Sequence, residues 1–380
     1  MGFFDNFSLW GGGGAGWLLP FLFVLTIVVF FHELGHFLVA RLCGVRVLVF
    51  SVGFGPELLG FNDRHGTRWK ISAVPLGGYV KFFGDEDAAS TPDLASVSTM
   101  TAAERRQSFH HQSVGKRAAI VAAGPIANFI LAILIFAAIF TFYGKPSNSA
   151  RVDGVLPDSP AAAAGFQKGD VVVAIDGRPI KTFVEMQRVV STNAGQELTV
   201  TVDRGGAQVQ LKATPTLRET KDNLGNTHRN GMLGINHSMA PTDRPEKVAV
   251  LPALWMGVEE SWFVVDRTMA YLGGIIVGRE KADQLSGPIG IARVSGQVAT
   301  FGFVALMNLA AILSVSIGLL NLFPVPLLDG GHLLFYAIEA TRGKPLSERA
   351  QEMGFRVGLA LVLMLMIFAT FNDIIKLAAS

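Results

Sequence analysis

The chain has 380 residues, of which 50% are hydrophobic and only 16% charged, and its mean hydropathy is +0.41. A chain this long and this apolar points to several membrane spans together with at least one polar domain. Its net charge of +2 implies no nucleic-acid partner, and the single cysteine, Cys43, excludes both an internal disulfide and a cysteine-rich metal site.

Residues 1–16 hold Asp5, a Gly11–Gly14 run and no basic residue, and Trp10 and Trp17 suit a membrane interface. The first span is expected from about Trp17 to Ala40. No Lys or Arg precedes it and it carries polar chemistry at its end, so it reads as a retained span rather than a cleaved signal peptide. The run is uncharged from Trp17 to Phe31 and then meets His32-Glu33-Leu34-Gly35-His36. On a helix, positions i and i+4 share a face, so His32 and His36 can bind one metal ion together. Glu33 stands beside that pair, where it can accept a proton from water. This is the H-E-x-x-H pattern of zinc proteases. Ionisable groups at membrane depth are costly and by default mark function, which favours a metal site over a polar patch in a helix bundle.

Val45 to Phe54 is apolar, mostly β-branched or aromatic, and ends at Gly55-Pro56. Asn62 to Gly66 is a turn cluster, Arg68 to Ile71 alternates polar with apolar, and Pro75-Leu76-Gly77-Gly78-Tyr79-Val80 follows. This predicts a hairpin or small sheet, whose edge is suited to pairing with an extended peptide. Asp85 to Met100 is polar and expected to be mobile. His110 and His111 are adjacent, so they point to different faces and make a poor chelate; they read as solvated surface. The second span is expected over about Ala118 to Phe142. It contains Ala123-Gly124-Pro125 and, in an otherwise apolar run, Asn128, which suits helix–helix hydrogen bonding.

Val152 to Pro215 changes character. Val171–Ile175 is a strand closed by the turn signal Asp176-Gly177, Phe183 to Ser191 fits a short helix, and Glu197–Asp203 and Ala207–Ala213 alternate around Gly205-Gly206 as a hairpin. Ser159-Pro160-Ala161 through Ala164-Gly165 and Lys168-Gly169-Asp170 precede the first clear strand, an order that resembles the PDZ domains of bacterial envelope proteases. Leu217 to His237 is expected to be a polar loop. Leu251 to Val277 has apolar residues stepping by three or four but is broken by Glu259, Glu260, Asp266 and Arg267. It reads as an amphipathic helix at the membrane surface rather than a span.

The third span is expected over about Phe303 to Phe323 and runs into Asn321-Leu322-Phe323-Pro324-Val325-Pro326-Leu327-Leu328-Asp329-Gly330-Gly331-His332. Two prolines so close forbid a regular helix, and irregular backbone at membrane depth must be buried in protein or line a cavity. The fourth span is expected over about Val357 to Ile375. Basic residues cluster after span one, before span two and between spans three and four, which places both termini outside and the basic loops in the cytoplasm. A catalytic zinc usually takes three protein ligands. Asp329 and His332 both qualify as the third by chemistry, since spans one and three end at the same side. Asn321 suits either contact with a substrate carbonyl or capping of the broken helix.

Taken together, His32-Glu33-Leu34-Gly35-His36 in span one, Gly124-Pro125-Ile126-Ala127-Asn128 in span two and Asn321 through Gly330 in span three resemble the site-two protease family. Within it the chain is similar to the bacterial regulator-of-sigma-E protease type. The resemblance implies one Zn2+ ion held by His32, His36 and Asp329, with Glu33 catalytic. It implies that Asn321 contacts substrate and that Val45 to Val80 is a membrane-associated β-element; Gly77, Gly78, Pro324 and Pro326 join Asn321 as the expected substrate-binding residues. It also implies a task, cutting the transmembrane segment of a single-span anti-sigma factor or of a signal-peptide remnant after another protease has acted. The PDZ-like domain is expected to take peptide ends or gate substrate size. Well-known members carry two PDZ domains in tandem, whereas one is found here. The expected fold is a multi-pass α-helical membrane protein with four transmembrane helices, a membrane-associated β-hairpin and one inserted PDZ-like α+β domain. The segments are 1–143, 150–216, 217–300 and 301–380. The expected location is the bacterial inner membrane, with both termini and the PDZ-like domain in the periplasm and the active site towards the cytoplasmic side.

Overall fold

In the computed structural model, which describes residues 16–85, 99–144, 149–221, 227–237, 247–279, 282 and 285–379, the first apolar run folds as helix α1 (Leu18–Leu42). Pro20 lies in its first turn, where a backbone N–H would have no helical partner, so the proline is tolerated. At about 1.5 Å per residue the helix is long enough for a hydrocarbon core about 30 Å thick. Gly44, in the left-handed region at φ +81°, turns the chain into strand β1 (Val47–Asn62), which pairs antiparallel with β2 (Arg68–Phe82). The strand was expected to end at Gly55-Pro56 but continues to Asn62. The register jumps from Phe54↔Val74 to Glu57↔Ser72, so an irregularity absorbs the proline's missing donor.

The inner half of this hairpin is core. Phe50, Val80 and Phe82 pack with Phe37 and Ala40 of α1 and with Ile120 and Val121 of the next long helix. Trp69 stacks on Phe50 with ring centroids 4.2 Å apart. The outer half is exposed and apolar at Leu58, Leu59 and Phe61. The turn is tied by Asp63, whose carboxylate accepts from the His65 amide at 2.8 Å, the Thr67 amide at 3.0 Å, Trp69 Nε1 at 3.1 Å and Arg41. Burial would push this carboxyl up, but those donors outweigh it and hold it at about 2.

Residues 86–98 of the stretch expected to be mobile lie outside the described residues. Helix α2 (Ala102–Gln107) opens on a capping box between Thr101 and Glu104. His110, expected on the solvated surface, is instead partly buried, with Nε2 2.9 Å from Asp85 Oδ1. Helix α3 (Val114–Phe142) is the second apolar run, with Pro125 inside it.

Two compact units emerge, Met1–Ala137 with Leu251–Ile374 and Ala138–Val250 with Ile375–Ser380. The second contains β3 (Gly154–Val155), α4 (Pro160–Ala164), β4 (Val171–Ile175), β5 (Arg178–Pro179), α5 (Phe183–Thr192), β6 (Leu198–Arg204) and β7 (Ala207–Ala213). A four-stranded sheet runs β5-β4-β6-β7, with the turns at Asp176-Gly177 and Gly205-Gly206 that the sequence signalled. Val172, Ile175, Val200 and Val202 from the sheet and Met186 and Val190 from α5 form its core. The expected loop after Leu217 is instead a second hairpin, β8 (Thr216–Lys221) with β9 (Thr227–Met232), followed by β10 (Ile235–Asn236). Strand β10 returns to pair with β3, and Leu233 joins the same core. A pairing between residues 80 apart leaves no local pattern, which is why it did not read as strand.

The chain then re-enters the first unit. Helix α6 (Val250–Ile276) is continuous, and its buried face is the small-residue row Ala253, Gly257 and Ser261. A side chain at Gly257 would meet the Ile133 carbonyl of α3 at 2.6 Å. Helix α7 (Pro288–Ala299), which the sequence did not signal, is capped from afar: Asp373 Oδ2 accepts from the Gly290 amide at 2.8 Å. Helix α8 (Phe303–Asn321) and α7 pack on α1 through Val24, Val28, Ala299, Leu306 and Ala310. Seven irregular residues carrying Pro324 and Pro326 lead to α9 (Asp329–Arg342), and α10 (Glu348–Ala379) follows. Among the described residues, four stretches are helical, long and apolar enough to cross a membrane, namely Leu18–Leu42, Val114–Phe142, Phe303–Asn321 and Arg349–Ala378. They overlap the four runs read as spans; the first helix starts one residue later, at Leu18, and the third ends at Asn321 rather than Phe323.

Candidate metal centre

The helical period sets His32 and His36 one turn apart on α1, with ring centroids 4.8 Å apart and the two Nε2 atoms 3.3 Å apart. The break at Pro324-Val325-Pro326 turns the chain after α8 and starts α9 at Asp329, directly against these rings. Asp329 Oδ2 lies 3.2 Å from His32 Nε2, and Oδ1 lies 3.6 Å from His36 Nε2. One ligand atom from each of the three residues falls within 4.8 Å of the others. Of the two sequence candidates for the third position, Asp329 joins this cluster. His332, three residues further along α9, faces the rings of Tyr336 and Phe355 at 6.5 and 5.3 Å.

The donor set suits a divalent cation such as zinc, as three tests on the side chains indicate. The His36 Nδ1 atom is 2.9 Å from the Ile120 carbonyl, which can only accept, so Nδ1 carries the proton and Nε2 offers its lone pair to the cluster. Asp329 Oδ2 is buried with no hydrogen bond of good geometry, its polar neighbour being His32 Nε2 at 3.2 Å, a costly state that a cation relieves. Two imidazoles and a carboxylate form a common catalytic zinc ligand set.

Close backbone contacts hold the cluster. A side chain at Gly35 would run into the Ala123 carbonyl and approach Ala127 Cβ to 2.8 Å, so α1 and α3 touch backbone to backbone beside the histidines. At Gly124 an added Cβ would stand 2.5 Å from His36 Cε1. Glu33 is flanked by β2: a Cβ on Gly78 would meet Glu33 Cγ at 3.0 Å and the Ser51 carbonyl at 2.8 Å. Gly77 is left-handed at φ +128° and sits under the Phe54 ring. The hairpin therefore borders Glu33 through Gly78, with Gly77 packed on Phe54 of the same hairpin. Asn321 closes α8, and Pro326 packs against Gly331 of α9 and against Gly354 and Gly358 of α10. Two contacts escaped sequence reasoning: the Ile120 carbonyl on His36, and Asn128 Nδ2 at 3.2 Å from His32 Nδ1. The polar Asn128 in an apolar run was the available signal for the second; a backbone carbonyl gives none.

A family model described as Peptidase family M50 matches residues 20–365. A protein of Agrobacterium fabrum provisionally named a zinc metalloprotease is 52% identical over 364 residues, covering 96% of this chain and 97% of its own. Metalloprotease MmpA of Caulobacter vibrioides is 42% identical over 379 residues, covering 94% of this chain and 95% of its own. A solved PDZ domain from Listeria monocytogenes aligns with 23% of this chain and 85% of its own at 23% identity, with a TM-score of 0.19.

Proposed function

The chain belongs to peptidase family M50, and on that premise we propose that it is an intramembrane zinc metalloendopeptidase, hydrolysing a peptide bond within the membrane-spanning segment of an anchored substrate. Four apolar helices of spanning length make it an integral membrane protein. The observation that carries the reading is the convergence of His32 and His36 from one such helix with Asp329 from the start of α9, their ligand atoms within 4.8 Å of one another.

One zinc ion is held by these three side chains; when bound it supplies Lewis acidity, making water more acidic and a peptide carbonyl more electrophilic. Glu33 takes the proton from water and returns it to the departing amine. A helical substrate hides its backbone in its own hydrogen bonds, and each group freed in lipid costs several kcal/mol unless re-paired. The hairpin bordering Glu33, at Gly77 and Gly78, offers that pairing, with Asn321, Pro324 and Pro326 bounding the path at the end of α8. The substrate class is a single-span protein such as an anti-sigma factor, or a signal-peptide remnant, already shortened by a first protease. The inserted α+β unit takes peptide ends or limits substrate size in the manner of a PDZ domain. The Lys and Arg bias supports a bacterial inner-membrane location with that unit and both termini in the periplasm and the metal site towards the cytoplasm.

Glu33→Gln tests this reading. The variant is expected to keep the zinc content of the wild type and to lose cleavage of a co-expressed membrane-anchored substrate by at least about 100-fold. Cleavage at the wild-type rate would remove Glu33 from the mechanism and the reading with it.

A further inference from the structure

Each histidine of the cluster is held from its outer nitrogen by α3, but by different groups. His36 Nδ1 meets the Ile120 carbonyl, which accepts in every state of the protein. His32 Nδ1 meets the side-chain amide of Asn128, 3.2 Å away, and an amide can present either its NH2 or its oxygen. Asn128 is fully buried, its Oδ1 has no hydrogen-bond partner, and its own backbone carbonyl accepts from Ser314 on α8 at 2.8 Å. With Nδ2 donating to His32 Nδ1, the imidazole proton sits on Nε2, the atom 3.2 Å from Asp329 Oδ2, and that tautomer has no Nε2 lone pair to offer the cluster. A half-turn of the amide brings Oδ1 to the same place, where it accepts from Nδ1–H and leaves the Nε2 lone pair free. The rotation exchanges one unpaired amide atom for another, so the charge at the cluster decides between the two.

We infer that Asn128 is the positioning residue for the metal site: its amide oxygen accepts from His32 Nδ1–H and fixes the tautomer in which Nε2 binds zinc. This rests on the proposed role of His32 as a zinc ligand. It extends that role to a side chain on another helix and to a two-position amide that follows metal occupancy. Partners of this kind typically matter by about 10–100-fold in metal affinity when removed.

The test uses the full-length protein in detergent, with zinc affinity measured by competition against a chelator and the cobalt-substituted protein read by its visible absorption. Asn128→Leu keeps the branched shape and removes both amide acceptor and donor; its zinc affinity is expected to fall about 10–100-fold, with an altered cobalt spectrum. Asn128→Asp supplies only acceptor oxygens and is expected to match or exceed the wild type. Equal affinity in the Leu variant and the wild type would overturn the inference. So would an Asp variant weakened at least tenfold, since an acceptor at that position would then have failed to favour the metal-binding tautomer, and this variant decides alone if the Leu protein does not fold. A His32→Ala variant that keeps the zinc affinity of the wild type would overturn the parent reading instead.

Discussion

Arg117 Nη2 of α3 lies 2.6 Å from Glu339 Oε1 of α9, and each side chain is only 14% exposed. The guanidinium also covers the Tyr336 ring, 4.9 Å from its centroid. This clamp joins the helix behind the histidines to the helix that carries Asp329. It lies at the start of α3 and nearly three turns along α9, so it sets the direction in which α9 leaves the cluster.

Arg117→Ala should therefore act on the metal site without touching it. Breaking one partner of a buried pair leaves the other charge uncompensated and costs about 3–5 kcal/mol, and this pair, which is only partly buried, should cost less. The expected result is a lower unfolding temperature together with reduced zinc retention during dialysis against a chelator. Glu339→Gln, which keeps an acceptor for the guanidinium, should lose less of both. Zinc retention equal to the wild type in the Arg117 variant would separate the clamp from the site.

Gly124→Ala should displace His36. The added methyl would stand 2.5 Å from Cε1 of a ring already fixed by the Ile120 carbonyl. With no rotamer free of both, the ring must shift. Zinc affinity is expected to fall by at least about tenfold, measured by chelator competition. Helix α3 itself should be undisturbed, because alanine is the better helix former.

Gly78→Ala separates catalysis from metal binding. Its Cβ would press on Glu33 Cγ, Val29 Cγ1 and the Ser51 carbonyl, all within 3.0 Å, and its three nearest neighbours include no member of the metal cluster. If Glu33 is the proton acceptor proposed above, a displacement of about one ångström can cost about 100-fold in rate. The expected outcome is kcat lowered by that order, with zinc content unchanged. A parallel loss of zinc would mean that the hairpin supports the ligands rather than Glu33.

The parts of the site that were legible are those that lie on one stretch of chain. His32, Glu33 and His36 declare themselves by helical spacing inside an uncharged run, and Pro324 with Pro326 declare the break that ends α8. The choice between Asp329 and His332 was not legible from spacing, because both sit in the first turn of α9; only the direction in which α9 starts distinguishes them. Contacts between distant residues were also hidden. Asp373 holds the start of α7 across 83 residues, and β10 completes its sheet with a strand laid down 80 residues earlier. Neither leaves a periodic trace, whereas the four apolar spans do, since each must satisfy its backbone within itself.

The inserted unit should have its own acid limit, set by Asp170. Its carboxylate is buried and accepts from Arg204 Nε at 2.7 Å, Arg204 Nη2 at 2.8 Å and the Gln167 amide at 2.8 Å. The paired hydrogen bonds from Arg204 outweigh the burial and hold this carboxyl below the usual carboxylate range. A group whose folded pKa is depressed gives up protons on folding, so stability rises with pH wherever the unfolded chain binds more of them. The contribution is thus complete above about pH 5, begins to fall as pH drops through about 4, and is gone below the folded value. At neutral pH Asp170→Asn should destabilise this unit by about 1.5–3 kcal/mol, the worth of hydrogen bonds to a charged group. Near pH 3 the gap between variant and wild type should close substantially. Hydrogen exchange of the β4 and β6 amides in the full-length protein, corrected for intrinsic rates, measures both. A gap that stays constant from pH 7 to pH 3 would show that Asp170 acts through packing rather than through its charge, since only the charged form loses its advantage on protonation.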